Sequence, residues 1–69
     1  MKEQFDPGKP DDLRSRGWIV FNHHDIIENG SRKTIWIMAY PFGPTYCVKG
    51  STDAECLNYI RKRAAEDGL

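Results

Sequence analysis

WIVFNHHDIIENGSRKTIWIMAYPFGPTYCVK, residues 18–49, is the stretch that decides the fold of this 69-residue chain. Blocks rich in β-branched and aromatic residues alternate there with short segments of Gly, Pro and Asn, a pattern typical of strands joined by tight turns. Asn29-Gly30 is the strongest short-range signal for a two-residue type I′ turn, because both turn positions need a positive φ. We therefore predict an antiparallel hairpin whose two strands lie in residues 18–27 and 34–40.

The register of the predicted sheet follows from the lengths of its two turns. The Asn29-Gly30 turn fixes the first hairpin, and residues 41–44, PFGP, predict a four-residue turn that leads into a third strand at residues 45–49. The predicted partners in strands one and two are Ile27 with Arg32, Asp25 with Thr34, His23 with Trp36, Phe21 with Met38, and Ile19 with Tyr40. The predicted partners in strands two and three are Ala39 with Tyr46, Met38 with Cys47, and Ile37 with Val48.

A single long helix is predicted at the C-terminal end. Thr52 and Glu55 form a capping box, and Asp53 stands in the first turn, where a negative charge suits the helix dipole. The helix extends to residue 65 or 66, and Gly68 is a natural stop. Its narrow apolar stripe consists of Cys56, Leu57, Ile60 and Ala64. The predicted fold class is α+β, with a three-stranded antiparallel sheet (β1-β2-β3) backed by one C-terminal helix.

The chain divides into an arm and one domain. Residues 1–13 mix Pro and Gly with charged side chains, and this composition predicts a flexible N-terminal arm. Residues 14–69 are predicted to form a single β-β-β-α domain. The N-terminus does not resemble a signal peptide, and the longest apolar run, 35–42, is too short to span a membrane. With two free thiols, a cytoplasmic protein that makes no membrane contact is expected.

Alternation along the strands sorts the predicted sheet into two faces, and both are apolar. The first, which is mainly aliphatic, carries Trp18, Val20, Ile26, Ile35, Ile37, Ala39, Tyr46 and Val48. The second, which is mainly aromatic, carries Ile19, Phe21, His23, Trp36, Met38, Tyr40, Cys47 and Lys49. One helix covers only one face, and we expect Leu57 and Ile60 to pack on the aliphatic side. The aromatic side then stays open, unless the arm folds over it through Phe5 and Leu13.

An open apolar patch rich in Tyr, Trp, Phe and Met is typical of an interface between proteins. The sequence therefore predicts a small non-enzymatic binding module that acts through its aromatic sheet face. Its partner would be another protein, with this chain as a regulator or inhibitor, or a second copy in a homodimer. The predicted partner-binding residues are Phe21, His23, Trp36, Met38, Tyr40 and Lys49.

A nucleic-acid-binding domain is the alternative function. Aromatic side chains on an open sheet stack on bases in single-strand readers, while nearby basic side chains contact phosphates. The residues in those roles would be Phe21, Trp36 and Tyr40 for the bases, and Arg32, Lys33 and Lys49 for the phosphates. Arg61-Lys62-Arg63 adds a basic helix end. Ten basic and ten acidic residues cancel, however, whereas nucleic-acid binders usually carry a basic excess.

Catalytic and metal-binding chemistry finds no support in the sequence. Adjacent strand residues point to opposite faces, so His23 and His24 are not expected to share a metal ion. Cys47 and Cys56 are predicted to lie on opposite sides of the sheet, unbridged and without a histidine nearby to act as a base. A domain this thin offers little room for the concave pocket that a small-molecule substrate or cofactor needs. No catalytic, cofactor-binding or metal-binding residue is predicted.

Residues 48–55, VKGSTDAE, lead from the third strand into the helix. They resemble the last strand and helix of HicB-type antitoxin domains, which have a β-β-β-α layout. The acidic-Leu-Pro-Gly segment expected after strand one of that family is missing here, so the resemblance implies the layout and no function. In size and build, the chain is also similar to small regulators and inhibitors encoded by phages and mobile elements.

Overall fold

A computed structural model describes residues 5–69. A short helix, α1, is followed by three antiparallel strands and a second helix, α2, and the strand order in the sheet is β1-β2-β3. The bounds are α1 Asp11–Ser15, β1 Ile19–Glu28, β2 Ser31–Ala39, β3 Thr45–Gly50 and α2 Asp53–Glu66. This architecture confirms the predicted α+β class. Neither helix in the described part of the chain is long and apolar enough to cross a membrane.

The first hairpin has the predicted turn and, over most of its length, the predicted register. Asn29 and Gly30 have φ angles of 52° and 77°, as a type I′ turn requires. Pairing follows the prediction from Ile27 with Arg32 back to His23 with Trp36. A β-bulge at Phe21 then shifts the register by one residue, because Val20 rather than Phe21 lies opposite Met38. The predicted pairs Phe21 with Met38 and Ile19 with Tyr40 are therefore wrong.

The second hairpin is shifted by one residue along its whole length, because its loop consists of residues 40–44 rather than 41–44. The Tyr40 amide donates to the Pro44 carbonyl at 3.0 Å, and the Gly43 amide donates to the Tyr40 carbonyl at 2.9 Å. A Cβ on Gly43 would approach the Tyr40 side chain to 3.0 Å, so any other residue there would require the Tyr40 side chain to shift by a few tenths of an ångström. The three predicted pairs between strands two and three are wrong. Those observed include Ile37 with Cys47, Met38 with Tyr46 and Trp36 with Val48.

Because of these two shifts, the side chains of β2 that face α2 and those that face away from it are exchanged relative to the prediction. A slip of one residue moves every side chain of a strand to the other face. Thr34, Trp36 and Met38 consequently point toward α2 and are buried, whereas Ile35 and Ile37 point away from it. The hydrophobic core consists of Leu13, Trp18, Trp36, Met38, Cys56, Leu57, Ile60 and Ala64.

Helix α2 forms as the sequence predicts. The Thr52 side chain accepts a hydrogen bond from the Glu55 amide at 3.1 Å, and the Glu55 carboxylate accepts one from the Ser51 amide at 3.0 Å. The predicted apolar stripe faces the sheet, and all four of its residues are fully buried. Beyond the helix, Gly68 has a φ of 75° and allows the Leu69 amide to donate back to the Ala64 carbonyl at 2.7 Å.

Part of the predicted N-terminal arm belongs to the packed domain. Residues 1–4 lie outside the described residues, and the flexibility of residues 1–13 stays a prediction. Leu13, however, is fully buried in the core, so the packed region begins before residue 14. Arg61 holds this segment against α2, because its guanidinium donates to both carboxylate oxygens of Asp12 and to the backbone carbonyls of Pro7 and Lys9.

Substitution of Gly30 tests the first turn. Gly30→Val should lower the free energy of unfolding by about 1–2 kcal/mol, because a β-branched residue is strongly disfavoured at positive φ. Urea denaturation followed by circular dichroism measures the change. Gly30→Asn is the matched control, since Asn tolerates the left-handed conformation and should cost less. Equal losses in the two variants would contradict the proposed turn geometry.

Candidate functional site

The aromatic side chains predicted to bind a partner are mostly inside the protein. Trp36 is 5% exposed and Met38 is fully buried, both beneath α2. Tyr40 is half-buried against Trp18, with ring centroids 5.2 Å apart. The prediction that these three side chains form an open face is therefore wrong. The cause is the inverted orientation of β2, which exchanges its inner and outer residues.

The other three predicted residues are exposed but do not form one surface with them. Phe21 is 75% exposed and lies at the bulge in β1. His23 stacks on Trp36 at a centroid distance of 3.8 Å and an interplanar angle of 16°, on the helix side of the sheet. Lys49 is exposed on the opposite side, where it pairs with Glu28. The predicted partner-binding set is thus divided between two faces.

A cluster centred on Asp53 joins the sheet to the start of α2. One oxygen of its carboxylate accepts hydrogen bonds from Trp36 Nε1 at 3.0 Å, from Thr34 Oγ1 at 3.2 Å and from His23 Nε2 at 3.1 Å. Because the acceptor is a carboxylate, His23 presents Nε2–H to it. Burial raises the pKa of Asp53. The hydrogen bonds from Trp36, Thr34 and His23 lower the pKa by a larger amount, so it lies below its usual value. The arrangement orients side chains and stabilises the fold.

Arg61, at the basic end of α2, is already occupied within the protein. Arg61 makes five hydrogen bonds, two of them to Asp12 and one to the Asn58 side chain at 2.7 Å. An arginine has only five N–H donors, so none remains for a phosphate. The hydrogen bond from Arg61 also holds the pKa of Asp12 below its usual value, despite partial burial. Arg61 therefore has a structural role.

An aliphatic surface lies on the side of the sheet that faces away from α2. We call it the outer face, and its apolar members are Ile19, Ile26, Ile35, Ile37, Ala39 and Cys47. On β1, Asn22 lies opposite Ile37 and His24 lies opposite Ile35, so this strand also contributes polar side chains to the face. Helix α2 packs on the other side, and every member of the outer face is half-buried or exposed. Ile19, for example, is 53% exposed. The predicted open aromatic face is therefore wrong, and the observed outer face is a new combination of residues. It takes Ile26, Ile35, Ile37 and Ala39 from the predicted aliphatic face, whereas Trp18, Val20, Tyr46 and Val48 of that face pack toward the core.

Charged residues border one end of the outer face. Lys49 on edge strand β3 reaches across β2 to Glu28 on edge strand β1, with Nζ 2.8 and 2.9 Å from the two carboxylate oxygens. The hydrogen bond and charge of Lys49 hold the pKa of Glu28 below its usual value. Lys33, also on this side, contributes to the same shift. The outer face therefore combines the apolar side chains of central strand β2 with polar and charged neighbours of both signs on the edge strands.

The histidines and cysteines are dispersed over the described part of the fold. His23 and His24 lie on opposite faces, as predicted, because their strand partners Trp36 and Ile35 do. Residues 5–69 contain no group of three or more His, Cys, Asp or Glu side chains that could hold a metal ion. Cys56 is buried, which raises its pKa, and Cys47 is exposed on the outer face, so the two thiols are unbridged as predicted.

The outer face was not predicted, because its composition depends on a difference of one residue in the length of the loop between β2 and β3. The one available signal was Gly43 followed by Pro44, which fits a loop of residues 40–44 as well as one of residues 41–44.

Comparisons with models of known protein families, with curated proteins and with solved structures found no match to this chain.

Proposed function

We propose that this protein is a small binding module that docks on a protein surface through its outer face. One observation carries the proposal: the side of the sheet opposite α2 presents a run of apolar side chains along central strand β2, Ile35, Ile37 and Ala39, with Ile19 and Cys47 beside them on the edge strands. A contiguous open apolar patch on a soluble domain usually marks an interaction site. Its polar rim around an apolar centre is also the common layout of protein interfaces. The unpaired cysteines favour a reducing compartment, so we place the module in the cytoplasm.

The outer face is better suited to a protein partner than to a nucleic acid. Trp36, the centre of the predicted base-stacking platform, is buried, and Arg61 has no free donor. Isoleucine side chains on the outer face offer no π-surface on which a base could stack. Zero formal net charge provides no general attraction to a phosphate backbone. We therefore propose no nucleic-acid role, and binding rather than catalysis remains the proposed activity.

Substitution at the centre of the outer face tests the proposal. Ile37→Lys puts a charge in the middle of the apolar surface and should abolish binding, because interface centres are depleted of charged residues. Binding is measured as capture of interacting protein, the second copy of this chain included, by immobilised wild type and variant. Tyr59→Lys, a change of an exposed aromatic residue on α2, is the matched control. Binding that survives Ile37→Lys but is lost in Tyr59→Lys would place the site on α2 and refute the proposal.

A further inference from the structure

We infer that the partner of the outer face is a second copy of this chain, packed face to face as a two-fold symmetric dimer. The inference rests on the proposed function and names its occupant. Two sheets stack at about 10 Å with their strands nearly aligned, so two outer faces can interdigitate as the layers of a β-sandwich do. The aliphatic residues Ile35 and Ile37, on central strand β2, lie in the middle of such an interface.

The rim charges fit this symmetry. A two-fold axis parallel to the strands places β1 of one copy over β3 of the other, because the two edge strands exchange sides. Glu28 belongs to β1 and Lys49 to β3, and their charged ends meet over β2 within one copy. In the dimer each Glu28 then faces the partner's Lys49 as well as its own. The four charges alternate in sign around the axis, so the surface is complementary to itself.

Overall charge and size are also consistent with self-association. Ten basic and ten acidic residues leave the chain with no formal net charge, so copies do not repel one another at long range. Three strands about 4.8 Å apart and roughly 25 Å long give a footprint of about 360 Å² per copy. Side chains make each surface larger than its flat footprint, so the two copies together bury on the order of 1,000 Å² of accessible surface, near the lower limit for a specific interface. We therefore expect a dimer that dissociates at micromolar concentration.

Sedimentation equilibrium over a range of concentrations is the first test. Wild type should change from monomer to dimer across the micromolar range, and Ile37→Lys should raise the dissociation constant at least roughly thirtyfold. Tyr59→Lys should leave the constant unchanged. Ile37→Thr, which keeps a β-branched side chain suited to a strand, serves as a second variant if Ile37→Lys fails to fold. Circular dichroism establishes folding in each case.

Charge reversal across the interface is the second test. Glu28→Lys and Lys49→Glu each create like charges around the axis, so each variant alone should dimerise more weakly than wild type. An equimolar mixture should recover dimer, because opposite charges then face each other between the two chains. Mixing cannot repair the ion pair within a chain, so recovery reports only contacts between chains.

The outcomes separate this inference from the proposed function. Concentration-dependent dimer that is lost in Ile37→Lys and recovered in the charge-reversed mixture supports both. A wild type that stays monomeric at hundreds of micromolar overturns the dimer, and the function survives only if a different protein is captured in an Ile37-dependent manner. A dimer that is insensitive to Ile37→Lys and to both charge reversals overturns the inference, because its interface then lies elsewhere. If wild type is monomeric and captures no protein, both fail.

Discussion

Trp36→Ala should leave most of the protein unfolded at room temperature. The Trp36 side chain is 5% exposed, packs in the core beneath α2, stacks on His23 and donates to Asp53. Truncation of a buried tryptophan costs about 3–5 kcal/mol. A single hydrophobic core in a domain of this size rarely supplies more than about 3–5 kcal/mol of stability, so the loss is comparable with the whole. Urea denaturation monitored by circular dichroism measures it.

Phe21→Ala is the matched control for this prediction. Phe21 is also an aromatic residue of the sheet, but it is 75% exposed at the bulge. Its truncation should change the free energy of unfolding by no more than about 0.5 kcal/mol, as is usual for surface positions. A folded Trp36→Ala variant together with an unfolded Phe21→Ala variant would show that the orientation of β2 is the reverse of the one described.

Asp53→Ala should destabilise the protein by about 2–3 kcal/mol, because it leaves buried donors without an acceptor. Trp36 Nε1 and Thr34 Oγ1 both donate to Asp53, and Thr34 is only 4% exposed. Asp53→Asn keeps an oxygen acceptor of similar shape and should cost less at neutral pH. The midpoints of urea denaturation of the two variants and of wild type provide the comparison. Equal stability of Asp53→Ala and wild type would contradict the role assigned to this cluster.

Ionisation of Asp53 also makes a pH-dependent contribution to stability. The pKa of Asp53 in the folded protein lies below the value of 3.8 expected for an unperturbed Asp. Its contribution is therefore complete well above that value and is lost as the pH falls through the lower, folded pKa. Between about pH 5 and pH 2, wild type should lose more stability than Asp53→Asn. The pKa of Asp12 is also lowered, but Asp12 makes the same contribution to the stability of wild type and of Asp53→Asn. The difference in stability between the two proteins therefore reports on Asp53 alone.

Local signals were sufficient for the order of the three strands and α2, whereas α1 was not predicted. Asn29-Gly30 predicted the first turn, and Thr52 with Glu55 predicted the start of α2, because each motif satisfies backbone groups within a few residues. The apolar stripe of α2 was likewise visible from spacing alone. These features do not depend on the rest of the fold, and the structure contains all of them.

Orientation of β2 depended on tertiary features that short motifs do not encode. The bulge at Phe21 and the loop of residues 40–44 each shift pairing by one residue, and a one-residue shift exchanges the two faces. Aromatic and aliphatic faces are both apolar, so the hydrophobic pattern did not select between them. Asp53 completes the selection, since its carboxylate provides an acceptor for Trp36 only when that side chain faces α2. From the sequence, Asp53 was predicted only as a residue that suits the helix dipole, because no short motif indicates its second role as an acceptor for Trp36.

The most direct test of the outer face as the binding surface is an isotope-filtered NOE measurement on a mixture of labelled and unlabelled wild-type chains. This experiment detects only contacts between different chains. We predict intermolecular NOEs among the methyl groups of Ile19, Ile35 and Ile37, and none to Leu57 or Ile60, which face the core. Intermolecular NOEs confined to α2 would contradict the outer face as the binding surface, and the absence of intermolecular NOEs at concentrations far above the micromolar range would contradict the dimer.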